Sequence, residues 1–256
     1  MATAGNGIAA VVYAPGTVTA KVGNGGEVTI TEVTSYPFSE GIEFRLSLKG
    51  ESGFPFALRI PGWCSTARVT VNGENIKAEP AARSWVILKR VWKNGDLVRL
   101  DLPSGVRVKL WEKNRNAISL SKGPLAYSLK IGERWERYGT SPAWPGYEVY
   151  PTTPWNFGLL VDPKQPSASC NVVIRKGALA GQPFTPDNAP IELHVRAKRI
   201  PQWRQESNGM IGEIPVSPVA SDEPLETVTL IPMGCARLRV SAFPQIGNTP
   251  DVRVRE

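Results

Sequence analysis

The alternation of apolar and polar residues constrains the fold of this chain more than any other feature of its sequence. Residues 42–49 read Ile-Glu-Phe-Arg-Leu-Ser-Leu-Lys, and residues 191–196 read Ile-Glu-Leu-His-Val-Arg. Successive side chains of a β-strand point to opposite faces, so a period of two places one face on a core and the other in water. The pattern therefore predicts half-buried strands.

Similar runs predict strands along most of the chain. They lie at Ala9–Tyr13, Glu27–Glu32, Phe56–Ile60, Arg68–Val71, Trp85–Leu88, Leu97–Leu102, Ala117–Leu120, Leu125–Ile131, Val172–Ile174, Val228–Ile231 and Arg237–Val240. Asn72-Gly73, Asn94-Gly95 and Asn24-Gly25-Gly26 are hairpin signals, because a type I′ turn needs positive φ at both central residues. No amphipathic helix of three turns is readable. The expected fold class is all-β, with two consecutive antiparallel β-sandwich domains favoured over a barrel.

A polar break divides the strands into two sets. It spans Trp111–Asn116 and predicts a first β-sandwich domain over residues 1–111 and a second over residues 112–256. The second set contains a stretch rich in tryptophan and proline, residues 135–166, which is predicted to be one long irregular loop. Long loops in compact domains are usually functional or cover another surface.

Several function classes are disfavoured by composition. The formal charge is +7, but the basic residues alternate with apolar ones, as in Arg237-Leu238-Arg239, which is typical of solvated strand faces. A nucleic-acid interface would gather them on one stripe with stacking aromatics. No apolar run approaches the roughly 20 residues that span a bilayer, and the N-terminus lacks the basic start and apolar centre of a signal peptide. We therefore expect no nucleic-acid or membrane partner, and localisation stays open because the start reads as a truncated reading frame.

The three cysteines give no sign of a metal site. Cys64, Cys170 and Cys235 are far apart and form no CxxC or Cys/His pattern, which argues against structural zinc and against a disulfide framework. Each is expected to be a small buried residue, with a Cys64–Cys235 pairing as the alternative. His194 is the only histidine and is expected to be an exposed strand residue. No metal and no cofactor are predicted.

Six phrases form a recognisable set. They are Ala-Val-Val-Tyr-Ala-Pro (10–15), Leu-Arg-Ile-Pro-Gly-Trp-Cys (58–64), Trp-Lys-Asn-Gly-Asp (92–96), Lys-Gly-Pro-Leu-Ala-Tyr (122–127), Pro-Trp-Asn-Phe (154–157) and Thr-Leu-Ile-Pro-Met-Gly-Cys-Ala-Arg-Leu-Arg-Val (229–240). Their order resembles the C-terminal region of glycoside hydrolase family 127, the β-L-arabinofuranosidases. The resemblance extends over almost the whole chain.

The resemblance implies a division of labour. In that family an N-terminal (α/α)6 barrel carries the catalytic cysteine, a glutamate and a zinc site, and two β-sandwich domains follow it. No residue of this chain matches that apparatus, so no catalytic role is carried over to its cysteines. The resemblance implies a non-catalytic accessory region whose partner is a catalytic (α/α)6 barrel domain.

Two kinds of candidate site remain, within and just before the stretch rich in tryptophan and proline. A glycosidase needs two carboxylates that flank the scissile bond, and the candidates are Glu133, Glu136, Glu148 and Asp162. Sugars also present apolar C–H faces to aromatic rings. The candidate carbohydrate-binding residues are Trp135, Tyr138, Trp144, Tyr147, Tyr150 and Trp155, with packing against the barrel or the second sandwich as the alternative.

The sequence therefore predicts structural support for a glycoside hydrolase, with binding of plant cell-wall glycan. The alternative is a self-contained glycosidase that uses the carboxylates of residues 133–162. A surface normally covered by the barrel would also allow a homo-oligomer. The identity of the sugar is left open.

Overall fold

The structure is a computed structural model that describes residues 2–3, 5–76, 80–207 and 209–247. The chain divides into two compact units between Gly105 and Val106. Both are built of strands, and the predicted all-β class is confirmed. Within these residues no helix is long and apolar enough to cross a membrane.

The first unit contains two sheets that pack face to face. Its described strands are β1 (Ala2–Thr3), β2 (Gly7–Ala10), β3 (Gly16–Val22), β4 (Gly26–Thr34), β5 (Gly41–Leu48), β6 (Ser52–Ile60), β7 (Arg68–Val71), β8 (Glu74–Asn75), β9 (Ser84–Trp92) and β10 (Leu97–Asp101). One sheet has the order β1-β2-β6-β9 and the other β3-β4-β5-β10-β7-β8. Neighbouring strands are antiparallel except for β2 and β6, which are parallel.

The core of this unit lies between the two sheets. Phe44 of β5 and Phe56 of β6 meet edge to face, with ring centroids 5.3 Å apart. Trp92 is fully buried, and its Nε1 donates to Phe54 O at 3.0 Å. A buried indole that satisfies its N–H adds apolar area without leaving a polar group unpaired. The alternation predicted for residues 42–49 therefore buries one face of β5 in a sandwich core.

The three hairpin signals have different outcomes. Asn72 and Gly73 have φ of 53° and 84° and connect β7 to β8, as a type I′ turn requires. The residues before Gly26 connect β3 to β4. The hairpin predicted at Asn94-Gly95 is wrong, because β9 and β10 belong to different sheets. Asn94 Oδ1 instead accepts from Leu48 N at 3.1 Å, which fixes a crossing between the layers.

The second unit has one large sheet and a separate hairpin. Its described elements are β11 (Val106–Trp111), β12 (Ala117–Lys122), β13 (Leu125–Leu129), β14 (Glu133–Tyr138), β15 (Gly146–Pro151), β16 (Phe157–Leu159), α1 (Pro166–Ser169), β17 (Cys170–Ile174), β18 (Ile191–Arg199), β19 (Leu225–Pro232) and a 3-10 turn at Met233–Cys235. The sheet order is β11-β12-β13-β19-β18-β16, β17 also pairs with β18, and β14 pairs with β15.

Strand β11 pairs with β12 over its whole length, so residues 106–111 belong to the second unit. Backbone hydrogen bonds also connect residues 243–246 to both β12 and β16. Ile118 and Phe243 exchange two bonds, and Ile246 N donates to Leu159 O at 2.9 Å. Residues 243–246 therefore connect β12 to β16, which is the last strand of the sheet order. Independent folding of two domains with a boundary near residue 112 stays a prediction.

Two local predictions are wrong. Residues 135–166 are not one irregular loop, because they contain most of β14 and all of β15 and β16. Both faces of the β14–β15 hairpin carry aromatic and charged residues. The sequence of these two strands therefore shows no alternation of apolar and polar residues, which is the pattern that predicts a strand. Arg237–Val240 is not a strand, because its backbone pairing with other described residues is limited to Val240 O, which accepts from Leu129 N at 2.9 Å.

All three cysteines are buried and free. Burial raises the pKa of each thiol, and that of Cys170 reaches about 11. The predicted role as small buried residues is in keeping with these positions.

Candidate functional site

The β14–β15 hairpin brings most of the predicted site residues together. Glu136 lies directly opposite Glu148, and Trp135 lies opposite Val149. Paired residues of an antiparallel ladder share a face, and alternate residues take the opposite face. The register therefore puts Trp135 and Tyr147 on one face and Tyr138 and Tyr150 on the other. The six predicted aromatics do not form a single row.

The Trp135 face is organised around a carboxylate. Glu133 Oε2 accepts from Trp135 Nε1 at 3.1 Å and from Arg237 Nη1 at 3.1 Å. The Glu133 side chain is only 10% exposed. The two charged or polar donors therefore fix the position of a carboxylate that has little contact with water. The Arg237 guanidinium also lies over the Trp135 ring, 5.1 Å from its centroid, and Tyr147 meets the ring edge to face at 5.8 Å.

A cavity of about 590 Å³ opens beside this cluster, and we call it the hairpin cleft. Its walls combine apolar side chains with a few polar ones, and Trp135 stays 47% exposed beside it. Glu133, Trp135, Thr153 and Arg237 are among its lining residues. Volumes of roughly 300–1,000 Å³ with a few convergent polar groups are typical of small-ligand sites.

Local structure fixes the base of the hairpin beside the cleft. Gly132 N donates to Thr153 Oγ1, and Thr152 N donates to Gly132 O at 2.8 Å. A Cβ on Gly132 would lie 2.4 Å from Thr152 Oγ1, so a larger residue would push the two ends of the hairpin apart. The glycine therefore positions the strand that carries Glu133 and Trp135.

The opposite face of the hairpin holds the other two carboxylates. Glu136 forms an ion pair with Arg134 at 3.0 Å, and Glu148 accepts a short hydrogen bond from the Tyr150 hydroxyl. That bond raises the pKa of Tyr150. Both glutamates are exposed, so no wall of protein excludes water from the pair. The structure brings Glu136 and Glu148 together but places them on open surface.

The remaining predicted residues lie elsewhere. Trp144 is 86% exposed between the two hairpin strands, and Trp155 packs edge to face on Trp203 at 5.2 Å. Asp162 starts the turn before α1, where its Oδ1 accepts from Lys164 N at 2.9 Å. His194 is partly buried, and its Nε2 lies 3.3 Å from Glu192 Oε2. Among the described residues no group of three or more His, Cys, Asp or Glu could hold a metal ion.

Arg237 is the residue that sequence reasoning missed. The alternation of Arg237 with Leu238 predicts a solvated strand face, yet Arg237 contacts both the Glu133 carboxylate and the Trp135 ring at the mouth of the cleft. No local signal marks this role, because its partners lie more than a hundred positions earlier in the chain. The only clue in the sequence is its place within the closing phrase of residues 229–240.

Comparison with known protein families finds a match for one part of the chain. Residues 7–104 match the family model described as β-L-arabinofuranosidase, GH127 middle domain. This range lies within the first unit. The model describes a middle domain, so the expected C-terminal placement of the whole chain is not confirmed. No curated protein sequence matches the chain at a significant level.

Solved structures resemble both units. A GH127 β-L-arabinofuranosidase from Geobacillus stearothermophilus T6 matches with a TM-score of 0.63 and 22% identity over 95% of this chain and 34% of its own. A structure described as a glycoside hydrolase gives 0.62 and 21%, over 94% and 36%. A GH127 β-arabinofuranosidase gives 0.63 and 15%, over 95% and 35%. The chain thus spans about a third of the length of these proteins, and at such identities the likeness shows the fold.

Proposed function

We propose that this chain is the non-catalytic accessory region of a glycoside hydrolase of the β-L-arabinofuranosidase type. The observation that carries the proposal is the match of residues 7–104 to the GH127 middle-domain model. The partner is a catalytic (α/α)6 barrel domain, in keeping with the two thirds of the similar solved chains that this chain does not cover.

An apolar sheet face supports the role in docking. Trp85, Ile87 and Val91 of β9 are 46%, 54% and 53% exposed and point away from the core. Ala57 of β6, which lies opposite Ile87, is only 8% exposed, so the exposed apolar side chains are confined to β9. A row of large exposed apolar side chains on one strand is a candidate interaction site. We assign this face to contact with the catalytic barrel.

A binding experiment tests the docking role. The chain would be titrated by calorimetry into the barrel domain of the Geobacillus enzyme, prepared without its corresponding third. We expect saturable binding that Ile87→Glu weakens at least tenfold, because a carboxylate would be buried without a partner. Val33→Glu, which places the same new carboxylate on the outer face of the other sheet, is the matched control. Absence of binding by the unmodified chain would contradict the proposal.

The hairpin cleft supports a second element of the proposal, binding of plant cell-wall glycan. An exposed tryptophan face binds the C–H face of a sugar, and fixed charged groups such as Glu133 and Arg237 bind its hydroxyls. Titration with arabinan and xylan fragments while following tryptophan fluorescence tests it. We expect quenching that Trp135→Ala abolishes and that Trp144→Ala, outside the cleft, preserves. Equal loss in both variants, or no response to any glycan, would contradict this site.

The alternative, a self-contained glycosidase, has one observation in its favour, the cross-strand register of Glu136 and Glu148. Side chains directly opposite in a ladder have Cβ atoms roughly 4.5–5.5 Å apart, so the two glutamates are neighbours, as the two carboxylates of a retaining glycosidase must be. Exposure of both carboxylates weighs against it, since no wall of protein excludes water from the pair. Release of product from aryl glycosides by the chain, lost in Glu136→Gln and Glu148→Gln, would establish the alternative. We expect no release.

A further inference from the structure

The two sheets of the first unit differ in width, and the difference leaves a gap in the core. The six-stranded sheet faces a sheet of only four strands. Val18 and Ile30 are paired across β3 and β4 and share the inner face. Ile30 is 3% exposed, whereas Val18 is 49% exposed. The four-stranded sheet therefore covers the inner face at β4 but not at the edge strand β3.

A cavity of about 460 Å³ opens at this gap, and we call it the Glu32 pocket. Its floor is formed by the core rings Phe44 and Phe56, and Ala10 of β2 and Val18 of β3 stand on its walls. Apart from the Glu32 carboxyl, the side chains that line it are apolar or, at Thr17, a hydroxyl. Its volume lies within the usual range of small-ligand sites.

Glu32 occupies a core position on this wall. It follows Val28 and Ile30 at alternate positions of β4, so its side chain points to the inner face. Oε1 accepts from Ala14 N at 3.0 Å, while Oε2 has no hydrogen-bond partner among the described residues. Burial raises the pKa of Glu32 to about 7, and the bond from Ala14 only partly offsets it. The alternation Val-Thr-Ile-Thr-Glu in the sequence is the signal that would have found this residue.

The charged and titratable groups around the pocket leave the carboxyl without a counter-ion. Tyr13 donates its hydroxyl to Arg59 O and meets Tyr36 edge to face at 5.8 Å. Burial raises the pKa of both tyrosines, so both stay neutral near pH 7. Arg59 directs Nη1 to Val11 O. Within the described part of the chain no Lys or Arg forms an ion pair with Glu32.

We propose that the Glu32 pocket binds a small organic cation with an apolar body. The apolar walls take up the body, and the ammonium group donates to Glu32 Oε2. Charge complementarity selects this class, because a poorly solvated carboxylate is stabilised by an opposite charge and opposed by a like one. A neutral ligand of the same shape would gain the apolar contacts and lose the ionic one. None of its lining residues belongs to the hairpin cleft or to the exposed row on β9.

Three probes of matched shape test the charge requirement. The whole chain would be titrated calorimetrically with phenethylamine, phenethyl alcohol and phenylacetate at pH 8. We expect the amine to bind at least about tenfold more tightly than the alcohol, and phenylacetate to bind more weakly still. At pH 6 the amine should bind about tenfold more weakly than at pH 8, because most of Glu32 is then protonated. Equal affinity for the three probes, or no binding of the amine, would overturn the proposal.

Variants locate the site independently. Glu32→Gln keeps the shape of the side chain, and we expect it to reduce the amine affinity to that of the alcohol and to remove the pH dependence. Val18→Trp places a large ring at the entrance of the pocket, and it should abolish binding of both the amine and the alcohol. Val33→Trp is the matched control on the outer face of β4, and it should bind as the unmodified chain does. Unchanged amine affinity in Glu32→Gln, with its circular dichroism also unchanged, would refute the assignment.

Discussion

Arg237 Nη1 donates to Glu133 Oε2 at 3.1 Å, although the two residues stand 104 positions apart in the chain. The pair joins the end of the closing phrase to the first residue of the β14–β15 hairpin. Since Glu133 is nearly buried and also bonded to Trp135, its carboxylate depends on both donors for solvation. The geometry of the hairpin cleft therefore depends on one long-range contact.

Arg237→Ala should destabilise the chain by about 1–2 kcal/mol, because it leaves a nearly buried carboxylate with a single remaining side-chain donor. Urea unfolding followed by fluorescence measures the change. Arg134→Ala is the matched control on the same hairpin. Its ion pair with Glu136 is exposed, and such pairs contribute roughly 0–1 kcal/mol. Equal losses in the two variants would show that burial of Glu133 has no energetic consequence.

Glu32 should make the stability of the chain fall as pH rises between about 4.3 and about 7. In this window the folded state still holds the proton that the unfolded chain has released, because burial raises the pKa of Glu32 to about 7. The stabilisation is complete below the unfolded pKa and lost above the folded one. Because Glu32 is still partly exposed to solvent, we expect a change of only about 1 kcal/mol.

Urea unfolding at pH 5 and pH 8 measures this dependence. Glu32→Gln should reduce the difference in the free energy of unfolding between pH 5 and pH 8 by about 1 kcal/mol. Glu27→Gln, at an exposed position on the same strand, should leave this difference unchanged. A Glu32→Gln profile parallel to that of the unmodified chain would contradict the prediction.

Residues 1–105 should fold when expressed alone. Their two sheets and core are complete without β11, whose strand partner lies in the second unit. A longer fragment, residues 1–111, should be less soluble, since it carries Leu110 and Trp111 on an unpaired strand. Cooperative thermal unfolding and size-exclusion chromatography compare the two. A fragment 1–105 that stays unfolded, or a fragment 1–111 that behaves better, would favour the boundary near residue 112.

Cys64, Cys170 and Cys235 should resist iodoacetamide in the folded chain and react fully after denaturation. All three are buried, and burial raises the pKa of each thiol, so little reactive thiolate forms at pH 8. Intact mass spectrometry counts the labels. Labelling of a native thiol, or a mass that shows a Cys64–Cys235 disulfide, would contradict the burial described here.

The pattern of residues predicted those parts of the fold whose information is local. Residues 42–49 alternate strictly, and β5 covers Gly41–Leu48 with every second residue in the core. Asn72-Gly73 predicted its turn because positive φ is a property of the two residues themselves. Asn94-Gly95 is the same kind of dipeptide but connects strands of different sheets. Its conformation is fixed by hydrogen bonds with Leu46 and Leu48, which are distant in sequence.

The candidate site could likewise be predicted only where its information is local. Sequence alone gathered Glu133 and Trp135 in one short segment, and it assigned an accessory role from a set of phrases. Their face, their burial and their contact with Arg237 are properties of the folded pair of strands.

By itself the sequence determined the all-β class, most of the strands and the likeness to an accessory region of a glycoside hydrolase, because period, turn chemistry and short phrases are local. Only the tertiary structure decided that Arg237 meets Glu133, that Glu136 and Glu148 face open water, and that Glu32 stands at an uncovered core position. Each of these depends on which strands become neighbours, and that choice is made by the burial of whole sheet faces rather than by any one segment.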